Sequence, residues 1–307
     1  MHPRDVLTAQ ELEEVMRRSD LRGAWIVLCQ WMQVIAIFAM VALWTNPLTV
    51  LLGVVLLGGR QLGFGILVHE CGHRTLFATP RLNDLVGDWL AAPPTFNNMR
   101  AYMKGHLVHH RDAGTAEDPD LPNYRDYPIS RARLRRKLWR DLSGQTGWRT
   151  LRGVGRTLAA FPRLGETARR AVARAVAMNL LILAVLVAVG EGWLYLLWIA
   201  AYVFVLPAVS RIRQVAEHGA VPDLLDRDPR RNTRSVRSNL LSRALFSPHQ
   251  VNWHLEHHCM ASVPIYNLGR LHRYLCRHGY YDGVDFPSGY LALLRQVSAV
   301  DAQPAPA

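Results

Sequence analysis

The sequence predicts an all-α integral membrane protein: four transmembrane helices in two hairpins, with a cytoplasmic helical cap. Three observations carry that prediction. Four apolar runs approach the length of a bilayer, the basic residues avoid one side of them, and the clustered histidines fall on the other. Composition agrees, since 50% of the 307 residues are hydrophobic, 20% are charged and the mean hydropathy is +0.02. Those values exclude a disordered or collagen-like chain.

Thr8 and Glu11 have the spacing of a capping box, which predicts a short helix to about Asp20 with Leu12, Val15 and Met16 on one side, lying on the membrane surface. The opening residues lack the apolar core and small-residue cleavage site of a signal peptide, and no lipidation motif is visible at either end. Residues 24–43 are uncharged and, at about 1.5 Å per residue, match a hydrocarbon layer of roughly 30 Å. Pro47 opens a second span, residues 47–68, interrupted by Gly58, Gly59, Arg60 and Gln61. Residues 175–189 and 193–210 are the third and fourth spans, joined through Gly190, Glu191 and Gly192. Neither outer connection contains Lys or Arg.

Apart from Arg60, every basic residue lies in the N-terminal segment, in residues 74–174 or after residue 210. The positive-inside rule therefore places both termini and a cap formed by residues 69–174 and 211–300 in the cytoplasm, within one domain spanning residues 1–307. Arg60 stands about 13 Å of helix before His69. It is expected to snorkel toward the interface, against the alternative of an intramembrane functional charge. Residues 82–96 are apolar but short, carry Asp84 and Asp88 and contain Pro93 and Pro94, which predicts an interfacial or re-entrant segment. Residues 301–307 read as a loose tail.

Lys and Arg outnumber Asp and Glu by 36 to 24, a formal charge of +12, which calls for a polyanionic partner or surface. The excess is densest in residues 131–174. There Leu134, Leu138, Trp139, Leu142, Trp148 and Leu151 have helical spacing, and the segment is expected to float its apolar side in the headgroups of an anionic membrane. Flanking membrane hairpins argue against nucleic acid as the partner. Cys29, Cys71, Cys259 and Cys276 form neither a disulfide framework nor a CxxC pair, as expected of a reduced, cytoplasm-facing protein.

Thirteen histidines occur, and eight lie in three clusters: His69 and His73; His106, His109 and His110; His254, His257 and His258. An HxxHH pattern is expected by chance about 0.02 times in a chain of this histidine content, yet it occurs twice. Positions i and i+4 of a helix share a side, so His69 and His73 present both rings together. Positions i, i+3 and i+4 span about 100° of circumference, so each HxxHH is expected to converge three rings on one point. A ninth candidate, His218, lies eight residues past the fourth span, with Gln214 one turn before it. His2, His249, His272 and His278 lack such companions and are expected to be structural or exposed. Nine imidazoles exceed the needs of one tetrahedral ion, so two metals are implied, either two closed zinc sites or two irons with open positions.

HECGHRTLF at 69–77, HLVHHRDAGTAEDPD at 106–120 and NWHLEHHCMASVPIYNLGRLH at 252–272 resemble the three histidine-box regions of the membrane fatty acid desaturase family. The resemblance implies four membrane helices under a cytoplasmic cap that holds a di-iron centre, with O2 as co-substrate and a lipid or fatty acyl chain as substrate. It makes His69, His73, His106, His109, His110, His218, His254, His257 and His258 the iron ligands and the catalytic residues. Gln214 stands where some relatives carry an Asn that touches an iron through water. Glu70, Glu217 and Glu256 lie beside ligands, placed to accept an N–H from a ligand ring.

The chain lacks the HPGG of a fused cytochrome b5 and a Gly-rich dinucleotide loop. Electrons are therefore expected from a separate ferredoxin or cytochrome docking on the arginine-rich face. A hydroxylase is the close alternative, because both reactions begin by removing the same kind of hydrogen. A zinc-binding membrane receptor or hydrolase is the remoter one.

Overall fold

The computed structural model describes residues 2–299, and the tail expected at 301–307 lies outside the described residues. The described chain is helical apart from one isolated bridge between Ser130 and Ala299. The helices that matter for function are α1 (Ala9–Met16), α2 (Asp20–Leu43), α3 (Pro47–Gly72), α4 (Met99–Asp112), α5 (Arg131–Leu142), α6 (Gln145–Ala159), α7 (Glu166–Ala188), α8 (Gly192–His218), α9 (His254–Cys259) and α10 (Ile265–Arg277). Of these, α2, α3, α7 and α8 are long and apolar enough to cross a membrane.

Each of these four outlasts its apolar run at one end or both. Ser19 starts α2 before residue 24 because its hydroxyl accepts the Arg22 N–H at 3.3 Å. Asn46 turns the chain directly into α3: its side chain accepts the N–H groups of Leu48 and Thr49 at 3.0 and 3.1 Å, and Pro47 needs no partner there. The same helix continues to Gly72, so His69 stands inside it instead of following it. α8 runs past residue 210 to His218, as a ligand at that position requires.

Spans pack through aromatic and small residues. Phe64 meets Trp31 edge-on at 4.9 Å between centroids and Trp198 at 6.2 Å. Trp25, Met32, Ile35, Leu180, Leu181 and Val185 face outward, the expected state of a helix surrounded by lipid. Residues 82–96 break into a helix at Pro80–Val86, a wide turn at Gly87–Ala91 and a tight turn at Pro93–Thr95, each far shorter than a span. Their exposed carbonyls are met by the spans: Pro93 O accepts from Asn179 Nδ2 at 3.0 Å and Pro94 O from Trp198 Nε1 at 3.2 Å.

Three expectations need correction. The N-terminal helix ends at Met16 and packs against α10: Val15 is fully buried with Leu268, Leu271 and Leu275, and Asn267 donates to Val15 O at 3.0 Å. Protein covers Val15 and part of Leu12 and Met16, so this side is turned to α10. In residues 131–174 the predicted apolar face divides. Leu134 and Leu138 pack on Tyr124, Tyr127 and Val297, and buried Asp141 pairs with Arg211 of α8, while Trp139, Leu142 and Trp148 remain exposed.

Arg60 does not snorkel. It is 5% exposed and donates to Gln33 Oε1 at 2.5 Å, Ala244 O at 2.8 Å and Arg243 O at 3.1 Å. Those carbonyls end the short helix Leu240–Leu245, and a helix C-terminus in a dry setting needs donors. Gly59 makes the approach possible, because a Cβ there would lie 2.1 Å from Ala244 O.

Gly59→Val is accordingly expected to cost about 1–3 kcal/mol of stability, as overpacking does. Gly65→Ala, where a Cβ meets nothing within 4 Å, should leave the unfolding midpoint unchanged or raise it. Thermal melts of the two variants in one detergent check the contrast.

Candidate metal centre

Four helices converge their ends on one buried space. The last turn of α3 supplies His69, and His73 is its cap residue, still in helical geometry at φ −72° and ψ −9°. The rings lie 4.6 Å apart between centroids, one above the other. Asn98 starts α4 by accepting the Ala101 N–H at 3.1 Å, and that helix carries His106, His109 and His110. The end of α8 supplies His218. Six-residue α9 brings His254, His257 and His258, its start pinned by Leu255 N–H donating to Ser235 Oγ at 3.0 Å.

All nine predicted histidines come together, but in two groups. His69, His73, His106, His110 and His257 form one; His109, His218, His254 and His258 form the other, with the candidate ligand atoms of each group within 4.8 Å of one another. Each HxxHH is therefore divided, contrary to the expectation that it converges on one point. At about 100° per residue, i and i+4 differ by roughly 40° while i+3 lies roughly 60° to the other side of i. The i and i+4 rings stay together in both boxes, and the i+3 ring, His109 or His257, crosses to the other group.

Hydrogen bonds at the backs of the rings decide where their lone pairs point. His109 Nδ1 lies 2.8 Å from Asp118 Oδ1, His218 Nδ1 lies 3.1 Å from Asn232 O, and His69 Nδ1 lies 3.0 Å from Glu70 Oε1. An acceptor at Nδ1 places the proton there and leaves Nε2 as a bare acceptor. Yet Nε2 atoms face each other: His218 and His254 at 3.1 Å, His254 and His258 at 3.1 Å, His73 and His106 at 2.9 Å, His106 and His110 at 3.1 Å. One proton cannot serve each of these contacts, and buried His69 Nε2 has no hydrogen-bond partner at all. Converging lone pairs without donors fit a cation, and imidazole suits Fe, Zn, Cu and Ni.

Most of the rings are also held neutral, as ligands must be. Burial pushes His73 down to about 4 and His110 to about 3. It drives His106, His254, His257 and His258 further down, with neighbouring rings adding to the effect. Asp118 is raised by burial but lowered more by the hydrogen bonds from His109 and Tyr124, so it stays an anion. A cavity of about 310 Å³ opens on the rings of His106, His109, His218 and His254.

The acids beside the boxes play different parts. Glu70 accepts from His69, and its other oxygen accepts from Thr75 and from the Ile265 N–H at 3.0 Å each. Glu217 lies 3.6 Å from His254 Nδ1 and 2.8 Å from Arg213 Nε. Glu256 reaches none of the nine rings. It is taken by His272 at 2.6 Å and Ser235 at 2.5 Å, so His272 is a brace behind α9. Gln214 is exposed and lines the cavity without a hydrogen bond to a ring. Of the other histidines, His249 is held by Gln30 at 3.1 Å, His278 by Glu11 at 2.8 Å, and His2 caps the first turn.

Sequence reasoning did not single out Asp118, Tyr124, Asn232 or Arg213. Asp118 was within reach, since it sits in the acidic run that follows the second box; Tyr124 donates to it and stacks on His218 at 4.8 Å. Asn232 acts through its backbone carbonyl and leaves no side-chain signal.

Comparison with known proteins agrees with this geometry. The sequence model described as fatty acid desaturase matches residues 45–286, more than half of the chain and an interval that contains all nine histidines. Dihydrorhizobitoxine desaturase of Bradyrhizobium elkanii is 24% identical over 250 residues, covering 74% of this chain and 67% of the relative.

Two outcomes follow. Asp118→Asn removes the charge behind His109 and should weaken metal retention about 10- to 100-fold, read as metal content after a chelator challenge. The histidine pKa values fall below the unfolded value of about 6.5. Below that pH the unfolded chain binds protons that the folded chain refuses, so metal-free stability is present above about 6.5 and is lost as pH falls toward 4. A melting midpoint that holds level from pH 7 to pH 4.5 would contradict the neutral-ring assignment.

Proposed function

Because the chain belongs to the fatty acid desaturase family, we propose that it is an O2-dependent membrane desaturase that introduces a C=C bond into a fatty acyl or lipid chain through two irons held by its nine histidines. The observation that carries the reading is the division of nine rings into five and four, with the i+3 histidine of each box crossing between groups. Five rings in one group exceed a closed tetrahedral zinc site and favour a five- or six-coordinate ion. Bound iron would supply O2 activation and the removal of hydrogen from an unactivated C–H, which no side chain performs.

The chain's own residues do the rest. Asp118, Glu70 and the Asn232 carbonyl keep protons on Nδ1, fix the ring planes and aim Nε2 inward. Burial of His69, His106, His109, His218, His254 and His257 limits the water that can compete for them. The cavity beside His106 and His218 gives a substrate its approach.

The membrane reading extends to sidedness and partners. Exposed Trp139, Leu142 and Trp148 stand among arginines, with Arg152 stacked on Trp148 at 5.5 Å, a pattern suited to an anionic membrane surface. The positive-inside rule supports a cytoplasmic cap and termini. Electrons come from a separate ferredoxin or cytochrome with its reductase, drawn by the basic face.

Purified protein is expected to carry two irons per chain. Lipid product analysis with a proven electron supply should show an alkene that His257→Ala abolishes; an alcohol in its place would favour hydroxylation, and zinc alone in the metal analysis would overturn the reading. Reduction by an acidic donor should slow as salt rises, and a salt-independent rate would remove the proposed docking face.

A further inference from the structure

The cavity at the histidine rings is not a plain apolar slot. Tyr102, Asp120, Arg213 and Glu217 contribute to its wall alongside the rings. Asp120 and Glu217 are turned to the rings, 3.9 Å from His109 Nδ1 and 3.6 Å from His254 Nδ1. Arg213 is different. Its side chain is 16% exposed, and its Nε faces Glu217 Oε1 at 2.8 Å. Among the described residues its two terminal nitrogens make no hydrogen bond, and unlike Nε they are not sealed from solvent. A guanidinium offers five N–H groups in a planar fork matched to an oxyanion, and here the terminal ones are left free on the cavity wall, where an anion can take them.

The bridge through Glu217 converts that charge into a distance. Glu217 Oε1 lies 2.8 Å from Arg213 Nε and 3.6 Å from His254 Nδ1, so the guanidinium stands within about 6.4 Å of that ring. An extended chain advances about 1.2 Å per bond, so about five to six bonds separate a group held by Arg213 from the level of the rings. Volume sets a second limit, since about 310 Å³ at about 30 Å³ per water-sized group holds roughly ten non-hydrogen atoms.

We propose that Arg213 holds a substrate carboxylate in this cavity, so that the substrate is a short carboxylic acid oxidised within about six bonds of its charged end, and not the middle of a long lipid chain. The proposal rests on the desaturase reading and narrows its substrate class. The fork binds both carboxylate oxygens, Glu217 steadies the guanidinium from behind, and Tyr102 bounds the space between the charge and His106.

The test uses the full chain, loaded with iron in detergent micelles, and two probes, hexanoate and 1-hexanol, with binding read by saturation-transfer NMR. Hexanoate is expected to bind at least about tenfold more tightly than hexanol. Arg213→Gln should abolish that preference while hexanol binding and two irons per chain persist. Equal binding of the two probes by the wild type, or undiminished hexanoate binding by Arg213→Gln, overturns the proposal.

Should Arg213→Gln lose its irons, Arg213→Lys decides. That variant keeps the charge opposite Glu217 but not the fork, and a loss of about fivefold or more in hexanoate affinity with hexanol unchanged supports the proposal, whereas equal affinity sinks it. Failure here is separable from failure of the desaturase reading. Alkene formation on long lipid chains without hexanoate binding defeats this proposal alone, while hexanoate binding at Arg213 with no alkene from any acid defeats the desaturase reading alone.

Discussion

Crowding of imidazole lone pairs is the interaction on which the rest of the molecule turns. Nine rings from four helices crowd together, eight of them at Nε2 separations near 3 Å, with carboxylates or a carbonyl behind three of the nine to keep protons away from the inner edge. Such a cluster is repulsive until cations enter it, so it has to be imposed by surrounding structure. Each nearby feature serves that imposition: the wide reach of α3 to His73, the fixed start of α4 at Asn98, and the pinning of α9 through Ser235 and Glu256. One carboxylate also answers a question of charge. Neutral ligands remove none of the charge of a bound ion, and Asp118, placed directly behind His109, supplies compensating negative charge without occupying a coordination position.

A second layer of polar chemistry lies farther down the spans and holds the segment before α9 to them. Gln30 donates to Arg60 O at 2.7 Å and receives His249 Nε2 at 3.1 Å, while Arg60 itself closes the helix Leu240–Leu245. These contacts fasten the strand of chain that leads into α9 to two membrane helices at once. Isolated polar side chains at that depth are expensive, and here each finds a partner. The apparent break in the second apolar run is thus a docking seat: Gly59 admits the Ala244 carbonyl, Gly63 lies against Gln30, and Arg60 supplies the donors.

Much of this was legible in the sequence, and what was not has a physical cause. Apolar runs and arginine placement located four spans, because both signals are averages over many residues. Spacing within the histidine boxes identified all nine rings that meet. It did not reveal that each box is shared, since angular separation of i+3 from i+4 is visible in the sequence but the second group of rings that receives it is not. The N-terminal helix was assigned to lipid because its apolar stripe is the same whether lipid or α10 covers it; Asn267, 250 residues away, decides the matter by gathering the carbonyls of Glu14, Val15 and Arg17. Arg60 was misread for a similar reason, as its partners are backbone carbonyls from a distant segment, and a carbonyl has no letter in a sequence.

The phase of α8 shows how the fold joins its membrane part to the site. Pro207 has no N–H to give to Val203, and the helix meets this with a wide turn over Ala201–Val205, in which Leu206 N–H bonds back to Ala201 O. A wide turn carries one extra residue, which rotates everything beyond it by about 100°. That rotation puts His218 against the second group of rings and Arg213 on the cavity wall; without it both would face elsewhere. Two glycines accept the swollen turn. A Cβ on Gly147 of α6 would stand 2.1 Å from Val203 O, and one on Gly58 of α3 would stand 2.3 Å from the Val205 side chain. Helices on both sides thus clamp the irregular turn, and the direction of the terminal histidine follows from packing fixed several turns earlier within the spans.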